Sequence, residues 1–110
     1  MELTLKQIRD ANVRRSIEWM GEKPGEKDLM FCAVELGGEV GEALNVIKKL
    51  ERGRLGVRGG IVDREALCEE LADVMICVDR VAAAMSIDLD SAVKRKFNKT
   101  SEKYGLATLL

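Results

Sequence analysis

The 110-residue sequence contains no histidine. This absence excludes Ser-His-Asp and Cys-His nucleophilic sites, histidine-ligated zinc, and the Glu-x-x-His di-iron sites of helical bundles. The glycine-rich phosphate-binding motifs of the P-loop and dinucleotide-binding types are also missing. Any chemistry in this chain must therefore use carboxylates, lysines, arginines and hydroxyls.

The sequence also has few cysteines, few aromatic residues and a net charge close to zero. The three cysteines form no C-x-x-C pair, aromatic residues make up 4% of the chain, and the formal net charge is −1. We interpret the cysteines as reduced thiols of a cytoplasmic protein. A net charge this close to zero does not indicate a broad basic surface for nucleic acid. No apolar run is long enough for a signal peptide or a membrane span. We therefore expect a single cytoplasmic domain over residues 1–110 that binds neither nucleic acid nor membrane.

Helical periodicity and cap residues predict four helices and no strands. The helices, with their expected caps, cover residues 5–20 after Thr4, 28–52 from Asp28, 63–85 from Asp63, and from Asp88 or Asp90 to about 104. The segment 53–62 holds four glycines and is predicted to be a loop, and Gly105 marks the end of the last helix. The predicted fold class is all-α, a small antiparallel four-helix bundle-like domain.

Acidic residues recur at helical spacing on two of the predicted helices. Glu35, Glu39 and Glu42 fall within one narrow arc of the second helix at about 100° per residue. On the third helix, Glu70 and Asp73 are one turn apart on a side that apolar residues continue. Converging carboxylates repel one another and are costly to bury unpaired, whereas a divalent cation that prefers oxygen ligands, such as Mg²⁺, removes both costs. The alternative is a solvated acidic stripe.

Three glycines, Gly37, Gly38 and Gly41, interrupt the acidic segment of the second helix. Glycine inside a helix costs about 1 kcal/mol relative to alanine. We interpret Gly38 and Gly41, which lie to one side of the acids, as positions where a missing side chain lets a neighbouring helix or a ligand approach closely. The alternative is that the helix merely tolerates them.

The segments ELGGEVGEAL (35–44) and EELADVM (69–75) resemble the E-x-x-E … E-x-x-D signature of the all-α nucleoside triphosphate pyrophosphohydrolases, the MazG-like superfamily. The segment KRKFNKTSEKYGL (94–106) is similar to the basic last helix of these enzymes. Two positions depart from the pattern, because Leu36 stands where many relatives have a second glutamate and Thr100 where many have asparagine. The resemblance implies hydrolysis of a (d)NTP to monophosphate and pyrophosphate, as in the clearance of non-standard or surplus nucleotides. It also implies Mg²⁺, with Mn²⁺ as a substitute, held by Glu39, Glu42, Glu70 and Asp73.

The resemblance implies roles for further residues. Glu35 and Glu39 are expected to be catalytic, with Glu35 either an outer-sphere partner of the metal or a residue that helps to place the attacking water. The expected substrate contacts are on the last helix: Lys96, Lys99 and Lys103 to the phosphates, Asn98 and Tyr104 to the nucleoside. An ordinary solvated basic face is the alternative for the lysines.

The expected assembly is a homodimer or homotetramer. Similar enzymes assemble through their helices, and a neighbouring subunit often completes the pocket. The first and third helices of this chain also carry apolar residues on more than one side, which favours burial against a partner. The partner expected beyond a second copy is the nucleoside triphosphate substrate.

Two other functions remain open. A phosphoribosyl-ATP pyrophosphohydrolase-like enzyme would share the helices and the acid pairs. A non-catalytic helical oligomerisation or regulatory module would instead pair its acids with cations of the same helices: Lys48, Lys49, Arg52 and Arg80. Those cations are expected to lie mostly off the acidic face, which counts against the module.

Overall fold

The computed structural model describes residues 2–110. It contains four α-helices, α1 Leu5–Met20, α2 Leu29–Arg54, α3 Glu65–Ala84 and α4 Leu89–Lys103, with a 3₁₀ turn Glu26–Asp28 before α2. No strand occurs in this part of the chain, so the all-α prediction is confirmed, and the helix bounds agree with the predicted ones to within about two residues. None of the helices over residues 2–110 combines the length and the apolar character that crossing a bilayer requires.

Local capping explains the bounds of the first and last helices. The Thr4 hydroxyl accepts a hydrogen bond from the Gln7 backbone N–H at 3.1 Å, and the Gln7 side chain accepts one from the Thr4 backbone N–H at 2.8 Å. This reciprocal capping box starts α1. Gly21 after α1 and Gly105 after α4 have φ values of 80° and 66°, a left-handed conformation in which glycine ends helices without strain.

Two predicted caps use different partners from the expected ones. The Asp28 carboxylate turns back to accept a hydrogen bond from the Gly25 backbone N–H at 3.0 Å, and this bond lowers the pKa of Asp28. Asp63 lies outside the first turn of α3 and accepts from the Glu65 backbone N–H at 2.9 Å. The prediction that Asp28 caps the first turn of α2 is therefore wrong, whereas Asp63 does satisfy a donor in the first turn of α3, from a position two residues before the helix begins.

The α2–α3 pair is the main packing unit of the chain. The two helices run antiparallel, since Glu35 pairs with Arg80 and Glu39 meets Asp73. Theirs is the most extensive helix contact among the described residues, α1 packs on α3, and α4 packs on α1. The side chains that form the buried apolar core are small: Cys32, Ala43, Cys77, Ala82, Ala83 and Ala84. Small residues let the helices approach closely, but each of them removes little apolar surface from water.

One buried carboxylate joins α1 to α3. Asp79 is 2% exposed and accepts hydrogen bonds from Arg9 Nε and Asn12 Nδ2, both at 3.0 Å. Arg9 also donates to the Ile87 carbonyl at 2.6 Å, and Asn12 donates to the Ile76 carbonyl at 3.1 Å. A buried charge is tolerated when it is paired in this way. The network fixes α1 against both α3 and the turn that leads to α4.

The glycine-rich loop folds back on the end of α2. The Ile61 backbone N–H donates to the Lys49 carbonyl at 3.0 Å, which holds the loop against the helix. A Cβ on Gly60 would overlap the backbone nitrogen of Gly53, and a Cβ on Gly53 would overlap the Ile61 carbonyl oxygen. These two glycines are therefore required by a close approach of backbone to backbone.

Candidate metal centre

Three carboxylates converge where α2 packs against α3. One oxygen from each of Glu39, Glu70 and Asp73 lies within 4.8 Å of the other two. Oxygen ligands about 2.0–2.6 Å from a single cation are separated by distances of up to roughly this size. The helical spacing of the two acid pairs predicted this convergence, and the antiparallel packing of α2 and α3 produces it.

The acid cluster, Glu39, Glu70 and Asp73, has buried oxygens without donors. Oε2 of Glu39 and Oε2 of Glu70 are both buried, and neither has a hydrogen-bond partner. Burial first, and then the negative charges of Glu42, Asp73 and Glu35, raise the pKa of Glu39. Burial, followed by the charges of Glu42, Glu39 and Asp73, raises the pKa of Glu70. Such an arrangement is costly without a cation, and its all-oxygen donor set fits a hard divalent ion.

Glu42 lies beside this cluster and is exposed to solvent. It is not one of the three converging residues, yet its charge is the strongest neighbouring influence on the pKa values of both Glu39 and Glu70. The structure thus brings Glu42 next to the cluster without completing a four-ligand set.

Glu35 has a cationic partner. Arg80 Nη1 donates to Glu35 Oε1, and the Arg80 side chain is only 14% exposed. The expectation that the nearby cations lie off the acidic face is wrong for Arg80, which follows Asp73 by seven residues and therefore shares its side of α3. No ion pair within residues 2–110 involves the other three cations of the module hypothesis, Lys48, Lys49 and Arg52.

The predicted substrate residues of α4 have local contacts of their own. In the described part of the chain, no ion pair involves the three expected phosphate-binding lysines, Lys96, Lys99 and Lys103. The ammonium of Lys103 lies 5.4 Å from the centroid of the Tyr104 ring. The Asn98 side chain accepts from the Leu110 backbone N–H at 2.8 Å and donates to the Leu110 carbonyl at 3.3 Å. The main packing partner of α4 is α1, whereas the acid cluster lies on α2 and α3.

The glycines of the acidic segment have no close neighbour among residues 2–110. A Cβ built on Gly37, Gly38 or Gly41 would meet no atom within 4 Å. The buried side of α2 is instead marked by Cys32 and Ala43, which face α3. The interpretation that the glycines admit a neighbouring helix is therefore wrong for the helices of this chain.

Comparison with curated proteins gives no significant match, and comparison with solved structures gives none either. A family model, described as the MazG nucleotide pyrophosphohydrolase domain, matches residues 31–105. The matched span contains both acid pairs and all of α4. With more than half of its length matched, the chain belongs to the MazG nucleotide pyrophosphohydrolase domain family.

Proposed function

We propose that the chain hydrolyses (d)NTP to (d)NMP and pyrophosphate and so removes non-standard or surplus nucleotides. The observation that carries this proposal is the convergence of Glu39, Glu70 and Asp73, together with the two buried carboxylate oxygens that have no donor. Membership of the MazG nucleotide pyrophosphohydrolase domain family supports the reaction class. The choice of scissile bond rests on that membership, because the spacing of acids does not determine it.

Mg²⁺ is the proposed cation, with Mn²⁺ as a substitute. Glu39, Glu70 and Asp73 would hold it, and Glu42 would turn inward as the fourth carboxylate. When bound, the cation supplies positive charge to the triphosphate and to the charge that develops during hydrolysis. The carboxylates in turn fix its position between two packed helices, where their own mutual repulsion is relieved.

Glu35 is proposed to orient or deprotonate the attacking water. Arg80 holds one of its carboxylate oxygens, and the other would accept a hydrogen bond from the water. Glu39 would share the catalytic role, since it lies one helical turn from Glu35 and next to the proposed cation site. Arg80 would limit the rotamers of Glu35 and so keep its carboxylate in place.

The basic residues of α4 are proposed to bind the substrate. Lys96, Lys99 and Lys103 would contact the phosphates, and Tyr104 would contact the nucleoside. Asn98 could join Tyr104 only by releasing its two hydrogen bonds to the backbone of residue 110. The packing of α4 on α1 supports delivery of the lysines to the acid cluster of a neighbouring subunit.

The test is a screen of canonical and modified (d)NTPs and phosphoribosyl-ATP in the presence of Mg²⁺, with products identified by ³¹P NMR. We expect monophosphate and pyrophosphate from (d)NTPs. We also expect Glu39→Gln and Asp73→Asn to lose turnover while they keep the helical circular dichroism spectrum. Glu69→Gln is the matched control, because Glu69 is an exposed acid of α3 outside the cluster. Orthophosphate as the first product, or full activity in both cluster variants, would contradict the proposal.

A non-catalytic helical module is the second candidate, and the Arg80–Glu35 ion pair favours it. In such a module, acids paired with cations need no metal. A cluster that binds Mg²⁺ must instead stabilise the folded state by mass action. A thermal midpoint that stays unchanged in both Mg²⁺ and Mn²⁺ would favour the module, and turnover of phosphoribosyl-ATP alone would favour the phosphoribosyl-ATP enzyme.

A further inference from the structure

A guanidinium lies among the carboxylates of the α2–α3 pair. Arg80 follows Asp73 by seven residues on α3, and its Nη1 donates to Oε1 of Glu35 on α2. The side chains of Arg80 and Glu35 are both partly buried. Solvent and salt screen a partly buried pair less than a surface pair, so the guanidinium is held beside Glu35.

Glu35 would be suited to binding a cation if Arg80 were absent. It precedes Glu39 by one turn of α2, and residues four apart on a helix are separated by roughly 5–6 Å at Cβ. The carboxylates of Glu35 and Glu39 can therefore meet at a single ion. In two-metal sites the ions lie about 3.5–4 Å apart, a separation that one carboxylate can span. Glu39 has the position of such a bridge, because it belongs to the acid cluster and also neighbours Glu35.

The positive charge of the chain is distributed unevenly over these acids. Within residues 2–110, no ion pair involves a member of the acid cluster, and Oε2 of Glu39 and Oε2 of Glu70 are buried without a donor. Glu35, in contrast, is paired with Arg80. A guanidinium is charged at every physiological pH and presents its donors in a fixed plane. The charge that lacks compensation is thus concentrated at the acid cluster and not at Glu35.

Arg80 disfavours a divalent ion at Glu35 in two ways. An ion bound there would approach the guanidinium, and like charges at short distance repel more strongly beside a protein than in bulk water. An ion that displaced the guanidinium would leave a partly buried charge without its partner, which is costly. Mg²⁺ also gives up its bound water reluctantly, so a carboxylate that a guanidinium already holds competes poorly for it.

We infer that the chain holds one divalent cation, at the acid cluster, and that the guanidinium of Arg80 occupies the place of a second cation at Glu35. Arg80 is a positioning residue in this arrangement, since it acts through Glu35 and does not touch the cation. Its removal opens a second cation site between Glu35 and Glu39. This inference rests on the cation proposed above, because a chain that binds no divalent ion has no stoichiometry for Arg80 to set.

Counting bound Mn²⁺ ions tests the inference without an activity measurement. Mn²⁺, proposed above as a substitute for Mg²⁺, is titrated by calorimetry into the purified protein without nucleotide. We expect about one ion per chain in the unmodified protein and about two in Arg80→Met. Two Mn²⁺ ions about 3.5–4 Å apart couple magnetically, so the electron paramagnetic resonance spectrum of Arg80→Met should broaden at saturation, whereas that of the unmodified protein should not.

Three further variants show whether the second ion depends on the charge at position 80. Arg80→Lys keeps a positive charge and should bind one ion. Arg80→Met combined with Glu35→Gln should also return to one ion, because the second site loses its carboxylate. The matched control is Arg54→Met, which breaks the exposed Arg54–Glu51 pair of α2 and should leave the count at one. Arg80→Gln, which keeps a donor for Glu35 without the charge, replaces Arg80→Met in these comparisons where the latter loses its helical circular dichroism spectrum.

The outcomes separate this inference from the proposed function. Two Mn²⁺ ions in the unmodified protein, or one ion in the folded variants that lack a charge at position 80, would overturn the inference and leave the proposed reaction standing. A second ion in Arg54→Met would overturn it as well, because the effect would not be specific to Arg80. An unmodified protein that binds no Mn²⁺ would overturn both the inference and the proposed metal centre.

Discussion

The guanidinium of Arg80 bonds to the carboxylate of Glu35, one helical turn before Glu39. The acidic side of the α2–α3 pair therefore contains a cation supplied by the chain itself. That cation reaches Glu35 but not the buried Oε2 atoms of Glu39 and Glu70, which have no donor. The structure thus separates one neutralised acid from a group of acids whose charge is not compensated.

Replacing Arg80 should change both stability and metal response. Arg80→Met leaves Glu35 without its partner next to Glu39, so we expect the metal-free protein to lose about 1–3 kcal/mol. Arg80→Lys keeps the charge without the planar guanidinium and should lose less. The rise in thermal midpoint on adding Mg²⁺ should be larger in Arg80→Met than in the unmodified protein, because the acids would attract a cation more strongly. Urea titration and thermal melts measure both effects, and an equal or smaller metal response would refute the second.

The metal-free protein should lose stability as the pH rises above about 4.5. The pKa values of Glu39 and Glu70 are raised above their ordinary 4.5, so the folded state keeps these protons at pH values where the unfolded chain has released them. Stability then falls with rising pH through the raised pKa values. Thermal melts in a chelator should show this decline, and Glu39→Gln should flatten it. The lowered pKa values of Asp28 and Asp88 act below their ordinary 3.8 and do not disturb this window.

Removing the buried carboxylate of Asp79 should destabilise the fold strongly. Asp79→Ala leaves Arg9 and Asn12 without their acceptor, and we expect a loss of about 3 kcal/mol in the free energy of unfolding. The control is Asp10→Ala, because Asp10 pairs with Lys6 on the exposed side of α1 and such pairs contribute about 0.3–0.5 kcal/mol. Urea denaturation compares the two. Equal losses would show that the Asp79 network does not fix α1.

Two glycine substitutions should have opposite effects. Gly60→Ala forces a Cβ against the Gly53 backbone and should destabilise the protein by roughly 1–3 kcal/mol. Gly37→Ala adds a Cβ that meets no atom within 4 Å inside a helix, and should stabilise it by about 0.5–1 kcal/mol. Thermal denaturation at one protein concentration measures both. A stabilising Gly60→Ala would mean that the loop does not pack back on α2.

The sequence predicted the features that local geometry determines. The capping box of Thr4 and Gln7 and the left-handed Gly105 act over three or four residues, so the ends of α1 and α4 follow from the sequence around them. The meeting of Glu39 with Asp73 follows from helical periodicity once α2 and α3 are paired. Asp28 departed from its predicted role because a competing donor, the Gly25 backbone N–H, lies on the other side of the same residue.

Features that depend on the relative placement of helices were not predictable in this way. The hydrogen-bond partners of Asp79 depend on how α1 crosses α3. No periodic pattern in the sequence predicts that these partners are Arg9 and Asn12. The position of α4 depends on the short turn after Ala84, which directs it toward α1. The position of Arg80, in contrast, was predictable from the sequence. Arg80 follows Asp73 by seven residues, a spacing that places it on the acidic side of α3.

The three thiols of this chain differ in how readily an oxidant would react with them. Burial, and then the charges of Glu35 and Glu39, raise the pKa of Cys77, and burial raises that of Cys32. Buried thiols that stay protonated react slowly with peroxides. Cys68 is exposed and lines a cavity with Ile47 and Leu71, so its conversion to a sulfenic or sulfinic acid would put a polar group among apolar side chains. Mild oxidation would therefore change the surface around Cys68 before it modified either buried thiol.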